Sequence, residues 1–233
     1  MRKVVVFDID DTLHKEIEYM KSAYRLIAKE LWDDKWYEHY TQMLADYHAG
    51  VNVFEKICAQ RADVELAGLL NMYRFGVHEL TLDDEVVEVL SSLKAKGVIL
   101  GIVSDGREVT QMNKVEALGL IRWIDADCIV INSDSKLFKP NPSGYERLVA
   151  AIRAKYGDEL FEYTYVGDNL KKDFIVPNAL GWNTICLKDD GRNIHKQDFD
   201  AASGDAMPKK VIASLRELVT KFGEPSIELF ALS

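Results

Sequence analysis

The chain has 233 residues, 48% hydrophobic and 29% charged, enough for one soluble domain or a core plus a modest insert. A formal net charge of -9 with no basic run argues against a nucleic-acid polymer or an anionic membrane as the main partner, because Lys and Arg would have to outweigh acid on some face. Val4 to Phe7 is too short for a signal-peptide apolar region and nothing later approaches the roughly 20 apolar residues of a membrane span, so a soluble, cytoplasmic protein is predicted.

Taken in chain order, Val4 to Phe7 reads as a strand that runs straight into Asp8-Ile9-Asp10-Asp11-Thr12. Residues 15–79 carry apolar side chains three and four apart (Ile17, Met20, Tyr24, Ile27; Trp36, Tyr40, Met43, Tyr47; Leu66, Leu69, Tyr73), which predicts an all-helical insert with its own core. Residues 1–14 and 80–233 then form the main domain. Short β-branched runs at Val98–Val103, Cys128–Ile131, Tyr163–Val166 and Thr184–Leu187 alternate with helical spacing at Val86, Val87, Leu90 and Leu93, at Val109, Met112 and Val115, and at Tyr145, Leu148, Val149 and Ile152. Apolar strands alternating with helices predict an α/β fold, a Rossmann-like parallel sheet covered on both faces. Residues 188–207 read as a long loop. A last helix is predicted through Val211, Ile212, Leu215, Leu218, Val219 and Phe222, ended by Gly223, and the tail 224–233 is left unassigned. Cys58, Cys128 and Cys186 lack metal or disulfide spacing and read as buried reduced thiols. The five histidines read as surface or locally bonded, with His48 the exception considered below.

Ligands of open parallel sheets sit at the carboxyl ends of the strands. Those ends carry Asp8, Asp10 and Thr12 after the first strand, Ser104-Asp105-Gly106 after the second, Lys139-Pro140 ahead of the fourth, and Gly167-Asp168 with Asp173 after it. This set resembles the haloacid dehalogenase superfamily, whose pattern is Asp-x-Asp-x-Thr, then Ser or Thr, then Lys, then Gly-Asp-x-x-x-x-Asp, in that order. The placement of a helical insert after the first motif makes it a cap, and is most similar to the branch of phosphoglycolate phosphatases and pyrimidine 5'-nucleotidases.

The resemblance implies a phosphatase that uses Mg2+ on a small phosphorylated metabolite, as a monomer or homodimer. A phosphate monoester repels nucleophiles until positive groups neutralise it, and magnesium takes hard oxygen ligands. By resemblance, Asp8 and Asp168 ligate magnesium through side chains, Asp10 through its carbonyl, and Asp173 ligates it or supports its water shell. Asp8 is then the nucleophile and Asp10 the general acid and base, with Lys139 and Ser104 holding phosphoryl oxygens. Thr12, Asp105 and Gly106 join the phosphate-binding set. Asp10 also favours phosphoryl transfer over dehalogenation, in which halide needs no acid. Taken singly, Asp105 and Asp173 read equally well as helix caps, and Asp105 stands where Asn is common, adding negative charge near phosphate. Asp11 reads as a solvated or locally bonded turn residue. Tyr47 and His48, between two cap helices, are the candidates for touching the leaving group. A phosphomutase would share every core residue, and a non-catalytic binding protein on this fold is the alternative from another class.

Overall fold

The computed structural model describes residues 1–221, so Phe222, Gly223 and the tail 224–233 lie outside the described residues. Strands β1 (Arg2–Phe7), β2 (Ile99–Asp105), β3 (Ile129–Asn132), β4 (Phe161–Gly167), β5 (Asn183–Leu187) and β6 (Lys210–Ile212) form one parallel sheet in the order β3-β2-β1-β4-β5-β6. The strand order reverses at β1, which pairs with β2 on one side and β4 on the other. Val4 to Phe7 are wholly buried, the continuous apolar burial that a central parallel strand requires. Phe7 lies opposite both Ile102 and Val166, so the residues just beyond β1, β2 and β4 emerge at one rim.

Helices α1 (Glu16–Trp32), α2 (Trp36–His48), α3 (Val53–Gln60) and α4 (Leu66–Phe75) follow β1 and close around a cluster that includes Met20, Tyr24, Ile27, Met43, Ile57 and Leu69. The aromatic stripes of the insert serve this cluster: Trp36, Tyr40, Tyr47 and Phe54 pack against it. Helices α5 (Asp84–Ala95), α6 (Glu108–Ala117), α7 (Ser143–Tyr156), α8 (Ile175–Ala179) and α9 (Arg216–Lys221) flank the sheet over a separate core. Pro177 sits in the first turn of α8, where its missing N–H costs no helical bond. Among the described residues no helix is long and apolar enough to cross a membrane.

The predicted last helix is shorter than its apolar spacing suggests. Val211 and Ile212 are strand, pairing with Cys186 and Leu187 at the sheet edge, and the helix begins only at Arg216. Val211 is exposed and Ile212 buried, so the pair alternates as a strand does; three residues are too few to show that period in sequence, and the open edge of β5 decided the outcome. The cysteines are free thiols, Cys128 and Cys186 buried and Cys58 half-buried.

Candidate active site

After β1 the chain turns tightly, with the carbonyl of Ile9 accepting from the amides of Thr12 (3.3 Å), Leu13 (2.9 Å) and His14 (3.0 Å). Asp11 takes the left-handed conformation (φ 55°), which Asp tolerates better than most residues. The turn holds Asp8 at the sheet rim. One Asp8 carboxylate oxygen accepts from the Ile9 amide at 2.8 Å, and the other lies 2.9 Å from the Lys139 ammonium. Burial opposes ionisation of Asp8, but Lys139, Lys172 and a hydrogen bond from Ser104 outweigh it and hold the carboxyl below its ordinary range.

Lys139 has no exposed side-chain surface. Its ammonium also reaches Asp173 Oδ1 at 2.7 Å and the Tyr165 hydroxyl at 2.9 Å. Burial would discharge it, yet Asp173 and Asp8 together keep its pKa well above the usual lysine value. The second oxygen of Asp173 accepts from the amides of Asp168 (3.1 Å) and Asn169 (2.9 Å). Gly167 makes this possible, since a Cβ there would come within 2.5 Å of Asp173 Oδ2. Asp173 therefore spends its lone pairs on the lysine and the β4 turn.

Asp8, Asp168 and Asp173, all buried, place carboxylate oxygens within 4.8 Å of one another. Burial, with Asp173, Asp8 and Asp11 adding repulsion, pushes Asp168 up to about 9 despite Lys139. Hard oxygen donors carrying more negative charge than the adjacent ammonium balances fit a divalent cation such as magnesium. A pH signature follows. An acid whose pKa is raised by folding binds more protons folded than unfolded, so stability falls as pH rises toward the folded value. Metal-free protein is expected to lose thermal stability as pH rises from 7 to 8.5; Glu16, raised by burial to about 7, adds to the loss only at the lower end, and His14 and His78, both lowered by burial, act below this range. Saturating magnesium is expected to remove that slope; a melting series with and without chelator that shows one slope in both would count against the cation site.

Asp10 is gripped from α6. Lys114 pairs with its Oδ1, and Gln111 donates to its Oδ2 at 3.0 Å and to the Ser104 hydroxyl at 2.9 Å. Gln111 and Lys114 are buried, whereas Val109 and Met112 are exposed. Of the apolar positions expected to face inward on α6, Val115 does and Val109 and Met112 do not: polar residues take their place because the acids of the rim need donors there.

Asp105 does not add a loose negative charge. Its Oδ1 accepts from the Lys139 amide (3.1 Å) and Asn132 (2.9 Å), and its Oδ2 lies 3.2 Å from Lys172 Nζ. Gly106 closes the turn by donating its amide to the Asn132 carbonyl at 3.0 Å. Asp11 is buried rather than solvated: its two oxygens accept from the amides of Glu16 and Ile194, each at 3.0 Å. Thr12 is buried and its hydroxyl has no hydrogen-bond partner among the described residues. His14 is likewise buried, and its Nδ1 has no partner among the described residues, so its side chain is neither at the surface nor bonded through that nitrogen. Tyr47 packs into the insert's own cluster and His48 is exposed at the end of α2. Spacing concealed Gln111, Lys114, Lys172 and Asn193, although a Lys directly before Asp173 was a visible hint for the third.

Residues 2–181 match the family model of the haloacid dehalogenase-like hydrolases. The chain belongs to that family. Its relatives include the glyceraldehyde 3-phosphate phosphatases of Methanocaldococcus jannaschii, 24% identical over 94% of this chain and 96% of that protein, and of Methanopyrus kandleri, 26% identical with the same coverage. Among solved structures, the magnesium-bound HAD-hydrolase YfnB of Bacillus subtilis aligns with a TM-score of 0.61 at 18% identity, over 96% of this chain and 99% of that one. This haloacid dehalogenase-like protein is accordingly a hydrolase with the Rossmann-like core and helical cap of its family.

Proposed function

We propose that this hydrolase is a magnesium-dependent phosphatase acting on a small phosphorylated metabolite through an aspartyl phosphate on Asp8. The observation that carries the reading is the pairing at the rim: an ionised Asp8 against Lys139, and Asp10 held by a different set of donors on α6. Two carboxylates with separate supports suit two roles.

A magnesium ion held by the Asp8 and Asp168 side chains and the Asp10 carbonyl, with Asp173 supporting them, would offset the charge of the phosphoryl group. Asp8 attacks phosphorus and the ester P–O bond breaks, while Asp10 gives its proton to the leaving oxygen. Asp10 then takes a proton from water as that water attacks the aspartyl phosphate, the bond to Asp8 breaks, and inorganic phosphate leaves. Lys139 and Ser104, with Thr12 and the Gly106 turn, hold the phosphoryl oxygens throughout. The curated relatives support a phosphorylated sugar as the substrate class, with Tyr47 and His48 of the cap offered to the leaving group.

Lys172 extends this reading. Its ammonium, clamped by Asp105, lies close enough to Asp8 to favour that carboxylate's ionised form. It therefore supplies a second cation to the phosphate, and Lys172→Met is expected to raise KM about 10- to 100-fold, the value of a charged hydrogen bond, with a smaller change in kcat. Steady-state kinetics check this, and an unchanged KM would remove Lys172 from the phosphate site. The overall proposal is tested by phosphate release from an aryl phosphate and a panel of sugar phosphates with magnesium. Equal turnover by wild type and Asp8→Asn, or none on any substrate, would overturn it; strict dependence on a bisphosphate primer would make the enzyme a mutase instead.

A further inference from the structure

We propose that Asn193 and Lys15 are positioning residues that orient Asp168 for the divalent cation and tie that ligand to the entrance of the cap. The inference rests on the reading of Asp168 as a metal ligand. Asn193 lies in the long loop after β5 and is only 5% exposed. Its side-chain Nδ2 donates to Asp168 Oδ2 at 2.9 Å, and its Oδ1 accepts from Lys15 Nζ at 2.6 Å. An ammonium can only donate, so Lys15 fixes which end of the amide faces it and leaves the NH2 end for the carboxylate.

The loop has little choice about where it places Asn193. Asp189 Oδ1 accepts from the amides of Gly191 (2.7 Å) and Asn193 (3.0 Å), forming the turn that presents it. The next amide, Ile194, donates to Asp11, and Gln197 Nε2 donates at 2.8 Å to both the Asp168 and Leu187 carbonyls. A segment that reads as featureless loop is thus strapped to the ends of β1, β4 and β5. Lys15 directly precedes α1, so it connects this strap to the first helix of the cap. Donation to one carboxylate oxygen sets the plane of the group and leaves the other oxygen for the cation. Partners of this outer kind typically change metal affinity by about 10- to 100-fold.

The test is calorimetric titration of magnesium into the metal-stripped full chain, with circular dichroism in chelator to verify folding. Asn193→Ala is expected to raise the Kd about 10- to 100-fold. Lys15→Met, which alters no residue in contact with the cation, is expected to raise it about 2- to 10-fold, the value of one lost hydrogen bond, and Lys15→Arg to restore it by keeping a donor. A folded Asn193→Ala with wild-type affinity overturns the proposal; if that variant does not fold, wild-type affinity in Lys15→Met overturns it. Asp168→Asn separates the two levels. Loss of magnesium binding there with none in Asn193→Ala defeats this inference alone, whereas undiminished binding in Asp168→Asn defeats the metal-site reading and this inference with it.

Discussion

Replacement of Asp8 by Asn is expected to lower kcat by about 10⁴-fold or more, the order seen when a covalent nucleophile is deleted from an intact site. The amide has the size of the acid and its carbonyl can still accept from the Ile9 amide, so the turn after β1 keeps its anchor. What disappears is the anionic oxygen 2.9 Å from Lys139, and with it the group proposed to form the aspartyl phosphate. Lys139 still has Asp173 at 2.7 Å, so the variant is expected to fold and to melt close to the wild type. Phosphate release measures the first effect, and acid-quenched labelling from a radioactive substrate measures the second consequence: label on the wild-type protein and none on the variant. A variant retaining a tenth of wild-type turnover would exclude Asp8 as nucleophile.

Lys139→Met is expected to abolish activity and also to destabilise the protein by about 3–5 kcal/mol, because it breaks a buried ion pair from one side. Methionine fills most of the space but leaves Asp8 and Asp173 facing each other without the ammonium, and the Tyr165 hydroxyl, 3.4 Å from Asp173, is a weak substitute. The sign of the pH dependence distinguishes this cause from a packing defect. Carboxylates deprived of their cation have raised pKa values in the folded state, so the variant's deficit should shrink as pH falls from 7 to 5 and grow as it rises. Denaturant titrations of metal-free protein at three pH values measure it. A loss independent of pH would point to packing, and no loss would mean that the pair contributes little beyond what methionine restores.

Much of the site was legible because its chemistry is written at strand ends. An apolar strand that closes on an aspartate has few structural reasons to do so, and three such endings, with a lysine in the loop between the third and fourth strands, single out the rim that Asp8, Ser104, Lys139 and Asp168 share. The supports were not legible in the same way. Gln111 and Lys114 interrupt the apolar stripe of α6, Lys172 looks like a solvated charge, and Asn193 sits in a polar loop of no evident period. Asp11 looked idle for the converse reason: its partners, Glu16 and Ile194, include one 183 residues away.

The sequence by itself determined the alternating parallel sheet and the helical insert with its own core, and it singled out the acids proposed to react, because burial periodicity and residue chemistry are local properties of the chain. Only the tertiary structure decided which donor each acid meets: Asp105 meets Lys172, Asp10 meets Lys114, Asp168 meets the Asn193 amide and Asp173 meets Lys139. It also decided that Val211 and Ile212 complete the sheet. The physical reason is common to both. A buried acid takes whatever donor the fold brings within about 3 Å, and an open strand edge takes whatever backbone passes beside it, and neither encounter leaves a trace in local spacing.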